Sequence, residues 1–398
     1  MRYHNQLTKQ ARAIRSLGLD ATLIGLAYAG VETIWSIYIY SFFPNESQVG
    51  FISAIFSLSA LLSLLFAYPL FKKFSPQELL FASVGANAII LALFAQINNP
   101  TIFVCLGILN ALLIGVRVQS FGVLLRHNSS KNNINKDENF IYVLMNIGWI
   151  SGPLIAGYIA NTIALRAVLI VSSIALLLSV YSITYNKSSF RKEQPNQEIN
   201  VKRLDNIKSF FRDKKRVLAY FLSGSLEVWW SISYIFLPVI MVTKYDFSLS
   251  SVGIFLFLLI IPNTLVELST QKKEIKDLRK RIGIGYLIIS AVALIAGLSG
   301  SIFVILGAMI VGSFGVGFIE PTVEGYFFSI TKEKESKKFY GSFMTAKQVG
   351  AFTGKILIAS ILINFSIHES ILTIGIIMFL LSMWSLKKHE PRHIKKNN

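Results

Sequence analysis

Apolar runs of about twenty residues recur along the whole of this 398-residue chain. A helix of that length spans the ~30 Å hydrocarbon core of a bilayer, where each backbone polar group must be satisfied inside the helix. Hydrophobic residues make up 53% of the sequence. We therefore predict an all-α integral membrane protein with twelve transmembrane helices. The predicted spans lie roughly at residues 18–42, 48–71, 78–97, 100–125, 139–161, 164–185, 216–241, 247–269, 281–299, 301–330, 339–363 and 367–386.

Two distant segments of the chain repeat one another. Residues Glu32–Ile37 (ETIWSI) match Glu227–Ile232 (EVWWSI). Each segment is followed by an apolar run that opens with Val-Gly, at Val49–Gly50 and at Val252–Gly253. The repeat predicts two six-helix bundles related by pseudo-two-fold symmetry. It also puts a carboxylate at the same place in the first span of each bundle, which points to a central site between the two.

A long polar segment divides the chain. Residues 186–216 are basic and rich in Asn, Gln, Glu and Lys, which is typical of a flexible linker. We predict an N-terminal six-helix bundle at 1–185, a cytoplasmic linker at 186–216, a C-terminal six-helix bundle at 217–386 and a basic cytoplasmic tail at 387–398. The end of the linker, Val201–Arg216, alternates basic and apolar residues and predicts an interfacial helix on the inner leaflet.

The distribution of basic residues predicts the orientation. The formal net charge is +18, and 34 of the 39 Lys and Arg residues fall in loops and termini on one side of the predicted arrangement. The opposite side has only Arg166 and Lys244. By the positive-inside rule we expect both termini in the cytoplasm and the protein in a prokaryotic inner membrane. The same distribution favours contact with anionic lipid and argues against nucleic acid as a partner.

Residue types that carry metal or nucleophilic chemistry are scarce in the predicted spans. Cys105 is the one cysteine, and all five histidines fall outside the spans or at their ends. No nucleotide-binding motif is present. We therefore expect no metal, no cofactor and no enzymatic activity.

Paired glycines mark two of the spans. Gly148 and Gly152, followed by Pro153, lie in span five and parallel Gly350 and Gly354 in span eleven. Glycines four residues apart lie on one helix face and let another backbone approach closely. The motifs indicate either simple helix packing or a hinge or seal between the halves.

With these features the chain resembles the major facilitator superfamily of transporters. The 6+6 spans, cytoplasmic termini and central basic loop match over essentially the full length. The segment Gly148–Gly157 resembles the span-five motif of the superfamily's drug/proton antiporters, with Ala156 where a glycine is usual. The resemblance implies alternating access around a cavity lined by spans one, four, seven and ten. It also implies that Arg117 corresponds to the span-four arginine of proton-coupled members. We expect a monomer.

Charged residues inside the spans identify a candidate site. A charge within lipid costs several kcal/mol unless it is paired, hydrated or protonated, so such residues are functional candidates by default. Seven lie away from the predicted span ends: Glu32, Arg117, Glu227, Glu320, Glu324, Lys347 and Lys355. The sequence indicates no specific role for Lys355.

Spans one and seven present matched faces. Helical spacing puts Tyr28, Glu32 and Trp35 together on span one, and Glu227, Trp230 and Tyr234 together on span seven. An acid beside aromatic rings predicts binding of an aromatic or cationic substrate through stacking and cation–π contact. The alternative is that the rings only pack between helices. The predicted substrate-binding residues are Tyr28, Glu32, Trp35, Arg117, Glu227, Trp230 and Tyr234.

Span ten carries two acids on one face. Glu320 and Glu324 are four residues apart with Pro321 between them, and Lys347 lies at a similar depth in span eleven. Two carboxylates this close in a low dielectric require a nearby cation or a proton. We predict a proton-coupling site formed by these three charges, or else a static ion pair. Spacing alone does not choose between Glu320 and Glu324 as the partner of Lys347.

Together these patterns predict a secondary active transporter whose partners are a small organic molecule, protons and membrane lipids. Proton-coupled efflux of an amphiphilic or cationic compound is favoured by the span-five motif and by the acidic, aromatic site. An importer or facilitator of a peptide, sugar or cell-wall fragment is the main alternative, since Arg117, Lys347 and Lys355 could hold an anionic group. A lipid-acting membrane enzyme or a non-transporting sensor is a more distant one.

Overall fold

The computed structural model describes residues 2–129, 134–186, 190, 203–270 and 277–387. This part of the chain is helical and contains no strand. Residues 187–189 and 191–202 of the linker, and the tail beyond 387, lie outside the described residues. The helices are α1 (Arg2–Tyr40), α2 (Glu46–Phe66), α3 (Tyr68–Lys73), α4 (Pro76–Phe94), α5 (Pro100–Asn128), α6 (Ile134–Thr162), α7 (Leu165–Tyr185), α8 (Arg203–Phe210), α9 (Lys214–Gly224), α10 (Leu226–Ser231), α11 (Leu237–Tyr245), α12 (Leu249–Thr270), α13 (Leu278–Leu298), α14 (Ile302–Ile330), α15 (Glu333–Ile361) and α16 (Ile367–Leu386).

The helices are those of a multi-pass membrane protein. Among the described residues, eleven helical segments are long and apolar enough to cross a membrane. Large apolar side chains such as Ile89 and Phe303, 60% and 73% exposed, point outward from the molecule, as expected of surfaces that face lipid. Helix α15 has 29 residues and is long enough to cross a membrane, but it is too polar to count among these eleven segments. Its sequence carries Lys347 and Lys355 in addition to a charged first turn.

Polar residues in the connections define where the spanning helices begin. The side chain of Asn45 accepts hydrogen bonds from the backbone N–H groups of Ser47 and Gln48 and caps α2. Asn99 caps α5 in the same way. Ser75 forms a capping box with Glu78 at the start of α4. Such caps satisfy N–H groups that have no partner within the helix, so α2, α4 and α5 each start at a defined residue.

The seventh predicted span is not one continuous helix. It consists of α9, α10, a π-helical turn at Ile232–Phe236 and α11. Pro238 lies in the first turn of α11, and because proline has no N–H it cannot donate to the carbonyl four residues earlier. The predicted span at 216–241 is present within the apolar helical segment Lys214–Tyr245, and the irregularity is a local feature inside it. The related helix α1 has no such break.

The predicted interfacial helix at Val201–Arg216 is also corrected. Helix α8 ends at Phe210, and α9 starts at Lys214 after an Asp213 cap. The Phe210 ring is fully buried and packs against aromatic rings of α14 and α15. Arg216 donates to the carbonyl oxygens of Ser209 and Phe210. The end of the linker is therefore held by protein contacts as well as by any contact with lipid.

The linker divides the spanning helices along the chain. We call α1, α2, α4, α5, α6 and α7 the first group and α9 to α16 the second group. The groups meet mainly where α2 packs on α15 and where α6 packs on α12. We call the end of the molecule that carries the Lys/Arg-rich connections the basic end, and the other the opposite end.

Both Val-Gly repeats lie where the two groups meet, near the opposite end. A side-chain carbon on Gly50 would come within 2.7 Å of Ala359 Cβ on α15. One on Gly253 would overlap the Pro153 carbonyl oxygen and lie 3.0 Å from Gly157 Cα on α6. Glycine is required at both places because only a missing side chain allows this approach.

An ion pair adds to the contact at the opposite end. The ammonium of Lys244 at the end of α11 lies 3.1 Å from a carboxylate oxygen of Glu46 at the start of α2. The pair joins the second group to the first. With the two glycine contacts, it joins the two groups near the opposite end.

Candidate functional site

A cavity of about 370 Å³ lies between the two groups of helices. Its walls come from α1, α6, α10, the π-helical turn, α12, α14 and α15. The lining residues are Glu32, Tyr142, Met145, Asn146, Trp149, Glu227, Trp230, Ser231, Tyr234, Ile235, Ile260, Asn263, Thr264, Glu267, Glu320, Ala351 and Lys355. Glu267 lies close to the end of α12 at Thr270. The cavity therefore extends from the middle of the molecule toward the basic end.

The two duplicated acids both line this cavity. Glu32 lies on α1 and Glu227 on α10, and each side chain is partly buried. The two repeated carboxylates therefore line one and the same cavity. The residues of α10 and the π-helical turn contribute more of the wall than those of α1.

The aromatic residues around the two acids differ between the halves. Trp230 and Tyr234 line the cavity, with their ring centres 5.6 Å apart. Trp35 does not line it, although its sequence position matches Trp230. The Trp35 ring packs inside the first group. Its ring centre lies 5.3 Å from that of Phe94 and 5.7 Å from that of Phe103. In this conformation the predicted amphipathic surface is thus built from span seven, while the ring of span one belongs to an aromatic cluster.

Arg117 is held within the first group. Its guanidinium carbon lies 3.9 Å from the centre of the Tyr28 ring, a cation–π geometry. Neither residue lines the cavity, which corrects the predicted position of both. Among the described residues, the buried Nε atom of Arg117 has no hydrogen-bond partner. The sequence predicted helix faces for these residues but could not predict that the two side chains would cover each other.

The structure selects the acid that pairs with Lys347. Its ammonium lies 2.7 Å from Glu320 Oε1. Glu324 instead accepts a hydrogen bond from the Tyr340 hydroxyl at 2.7 Å and does not line the cavity. The two acids of span ten, which sequence spacing could not distinguish, therefore have different partners.

Lys355 gains a specific position. Its ammonium donates to the Ser57 hydroxyl at 2.7 Å, so a cation of α15 reaches across to α2. It also lines the same cavity as Glu32 and Glu227. Lys355 therefore brings a positive charge into the cavity that contains both duplicated acids.

A polar patch near the basic end was missed from the sequence. The Tyr142 hydroxyl of α6 donates to the Glu267 carboxylate of α12, and both line the cavity beside Asn146, Asn263 and Thr264. In the part of the chain that the structure describes, the buried side-chain oxygen of Asn263 has no hydrogen-bond partner. Asn263 and Glu267 are four residues apart in the sequence, which puts them on one helix face. This spacing could have indicated the polar patch before the structure was known.

The paired glycines pack helices within each group. A side chain on Gly148 would collide with the α1 backbone at Leu26, 2.6 Å from its nitrogen, and one on Gly152 would meet Ala29. In the second group, Gly350 lies against the Gly224 backbone and Gly354 against Val228. The helix-packing interpretation thus accounts for all four glycines.

Pro153, which follows the first glycine pair, contacts the other group of helices. Its carbonyl oxygen lies against Gly253, as described for the opposite end. Among the described residues, no group of three or more His, Cys, Asp or Glu side chains is placed to bind a metal ion.

Comparison with known proteins gives relatives of low identity among curated sequences. The Multidrug resistance protein MdtG of Escherichia fergusonii is 26% identical over 196 residues, which are 48% of this chain and 47% of the relative. The MdtG protein of Escherichia coli strain K12 / DH10B is 25% identical over 199 residues, with the same coverage. The match thus spans about half the length of these relatives.

Solved structures with the same fold cover nearly the whole chain. The nucleoside transporter NupG has a TM-score of 0.73 at 15% identity and covers 95% of this chain and 100% of its own. A POT family transporter in complex with 5-aminolevulinic acid has a TM-score of 0.76 at 9% identity, covering 94% and 95%. The human organic anion transporter MFSD10 has a TM-score of 0.67 at 13% identity, covering 95% and 99%. At these identities the likeness concerns the fold alone.

The family assignment comes from the sequence profile described as the Major Facilitator Superfamily, which matches residues 19–268 and 276–398. That match covers both groups of helices and every element that lines the cavity. The chain therefore belongs to the Major Facilitator Superfamily.

Proposed function

We propose that this protein is a proton-coupled efflux transporter for a cationic or amphiphilic organic compound. The observation that carries the proposal is the pair of duplicated carboxylates, Glu32 and Glu227, which face one cavity between two groups of helices. A cavity that is acidic and flanked by Trp230 and Tyr234 suits a cation with an aromatic or apolar body. The half-length similarity to MdtG, named as a multidrug resistance protein, supports the same substrate class.

The proposed mechanism is alternating access. The two groups would be two six-helix bundles with twelve spans in total. Eleven spans would be the apolar helical segments, and the remaining, more polar one would be α15, which is span eleven in chain order. Its charges face the interior: Lys347 pairs with Glu320 and Lys355 reaches Ser57, which explains how a charged helix can cross lipid. Rocking of one bundle against the other would open the end closed by Glu46, Lys244 and the glycine contacts, and close the cavity at the basic end.

The proposed orientation puts the basic end in the cytoplasm of a bacterial inner membrane. Basic connections favour that side and contact anionic lipids. With the opposite end closed, the structure would then be an inward-facing state, ready to take a compound from the cytoplasm. We propose that the transporter acts as a monomer and needs no cofactor, nucleic acid or metal.

Protons are proposed to act at the same carboxylates as the substrate. Two acids in a cavity of low dielectric hold either a proton or a cation, so the two ligands exclude each other. The ion pair Lys347–Glu320 provides a third acid, whose partner could change between conformations. Efflux would follow from proton entry at the opposite end in exchange for the compound.

The test is transport by the purified protein in liposomes. With a pH gradient imposed in either direction, we expect the monocation ethidium to be moved against the direction of proton flow. A dipeptide and a nucleoside serve as comparison substrates for the alternative of metabolite import. Ethidium flux that ignores the pH gradient would contradict proton coupling, and selective flux of either metabolite would contradict the proposed substrate class.

A further inference from the structure

The inference concerns Asp20, an acid of α1 that does not line the cavity. Its side chain is fully buried, at 0% exposure, and faces α7 inside the first group of helices. None of the ion pairs formed among the described residues includes Asp20. A buried carboxylate requires a positive charge close to it, because an unpaired ion in a low dielectric is strongly unfavourable.

Serine hydroxyls from both helices lie beside this acid. The Ser179 hydroxyl on α7 donates to Asp20 Oδ1 at 3.3 Å. The hydroxyl oxygens of Ser16 on α1 and Ser182 on α7 lie 3.4 Å apart. All three serines are buried. Because Ser16 and Asp20 are four residues apart and Ser179 and Ser182 are three apart, the four side chains form one polar cluster where α1 and α7 face each other.

The contacts within this cluster do not satisfy the carboxylate. Asp20 Oδ2 is buried and has no hydrogen-bond partner among the residues that the structure describes. The two distances between oxygens are also longer than the value of about 2.7–2.8 Å that is usual for a hydrogen bond between oxygens. A proton on the carboxyl group would belong to one of its two oxygens and leave the other unchanged. A bound cation can contact the lone pairs of several oxygens at once.

We propose that Asp20, Ser16, Ser179 and Ser182 form a sodium site that holds α1 and α7 together. Oxygen atoms are the ligands that hard cations prefer. One carboxylate balances one positive charge, so a monovalent ion makes the cluster neutral, whereas a divalent ion would leave a net positive charge among apolar helices. The inference goes beyond the proposed function, because the ion is a structural ligand of the first group and the proposed exchange of protons for a cation does not need it.

The position of the cluster near the basic end favours a cation. Ser182 lies in the last turn of α7, which ends at Tyr185. The carbonyl groups at the end of a helix carry partial negative charge, which attracts cations to its last turn. The aqueous phase at the basic end is also close to this turn, so an ion has only a short path to the cluster.

Thermal unfolding of the purified full-length protein in detergent tests the inference. The protein is titrated with sodium chloride and, separately, with choline chloride at the same ionic strength, so that screening of charges is equal in both series. A ligand that binds only the folded state raises the melting temperature. We expect sodium to raise the melting temperature of the wild-type protein by about 2–4 °C relative to choline, with a response that saturates.

Two variants and a matched control locate the ion. Asp20→Asn keeps the shape of the side chain but removes its charge, and it should lose the response to sodium. Ser179→Ala removes one hydroxyl and should shift the sodium titration to concentrations about threefold higher or more. The control is Ser173→Ala on the same helix, where a buried hydroxyl donates to the Ala88 carbonyl oxygen on α4 at 2.7 Å. It should lower the melting temperature in both salts and keep the full response to sodium.

A second measurement does not depend on the folding of any variant. Equilibrium dialysis of the wild-type protein against radioactive sodium, with choline as the competing cation, should find about one bound ion per chain. Absence of bound sodium, or equal melting temperatures of the wild-type protein in the two salts, would overturn the inference. An undiminished sodium response of Asp20→Asn would do the same.

The comparison with protons completes the test. Stabilisation of the wild-type protein by a lower pH, without any response to sodium, would show that Asp20 holds a proton only and would also overturn the inference. None of these results depends on the movement of ethidium, so the proposed function would stand if the sodium site failed.

Discussion

The ammonium of Lys347 lies 2.7 Å from a carboxylate oxygen of Glu320, and this ion pair joins α15 to α14 beside the cavity. The pair makes the polar helix α15 compatible with its apolar surroundings. Glu324, one turn away, is bonded to Tyr340 instead. Two acids four residues apart on one helix therefore offer a matched test of what the pairing does.

We predict that Lys347→Met destabilises the protein and that adding Glu320→Gln restores part of the loss. Removing one partner leaves an uncompensated charge, whereas removing both does not. Because the two side chains are 42% and 26% exposed, we expect a coupling energy of about 1–2 kcal/mol, below the value for fully buried pairs. A double-mutant cycle read by thermal unfolding measures it. The same cycle with Glu324→Gln is the control and should be additive; additivity in both cycles would contradict the pair.

We predict that Glu32→Gln and Glu227→Gln each lower transport driven by a pH gradient by about tenfold or more, equivalent to ~1.4 kcal/mol. Glutamine keeps the shape of the side chain but cannot take up or release a proton. Flux of ethidium in liposomes is the measurement. Glu138→Gln, at the start of α6 and outside the cavity lining, is the control. Full activity of both cavity variants would make these acids structural.

We predict that Gly350→Ala destabilises the second group of helices by about 1–3 kcal/mol, as overpacking does in other cores. The added methyl group would overlap the Gly224 carbonyl oxygen. Gly341→Ala on the same helix is the matched control, since nothing lies within 4 Å of the position its methyl group would take. Thermal unfolding of the two variants in one detergent gives the comparison. Equal melting temperatures would show that α9 and α15 do not need this close approach.

We predict that the linker faces the cytoplasm and the start of α2 faces the outside. In a Cys105→Ser background, cysteines replace Lys208 and Gln48, two exposed residues at the basic and opposite ends. A membrane-impermeant maleimide added to intact cells should label Gln48→Cys and spare Lys208→Cys until the cells are lysed. The reverse pattern would overturn the proposed orientation.

Much of this architecture could be predicted from the chain itself. Apolar run length alone predicts the helices, and capping residues such as Asn45 and Ser75 define where they start. The prediction of a major facilitator transporter, and not an enzyme, is confirmed by the family match over residues 19–268 and 276–398. Helix α15 shows where composition reaches its limit, because its lysines look unsuited to lipid until their partners on neighbouring helices are known.

The division between sequence and tertiary structure is clearest in the duplicated segments. The sequence by itself determined that Glu32 and Glu227 occupy matching positions in the repeat and that Val-Gly occurs at matching places in each half. It also determined that single charges lie within the apolar spans. All of these are properties of the order of residues along the chain. Tertiary structure alone decided that Trp35 packs in a core while Trp230 faces the cavity, that Lys347 takes Glu320, and that Lys355 reaches Ser57. Each of these choices depends on a distance between different helices, and periodicity along one helix contains no information about that distance.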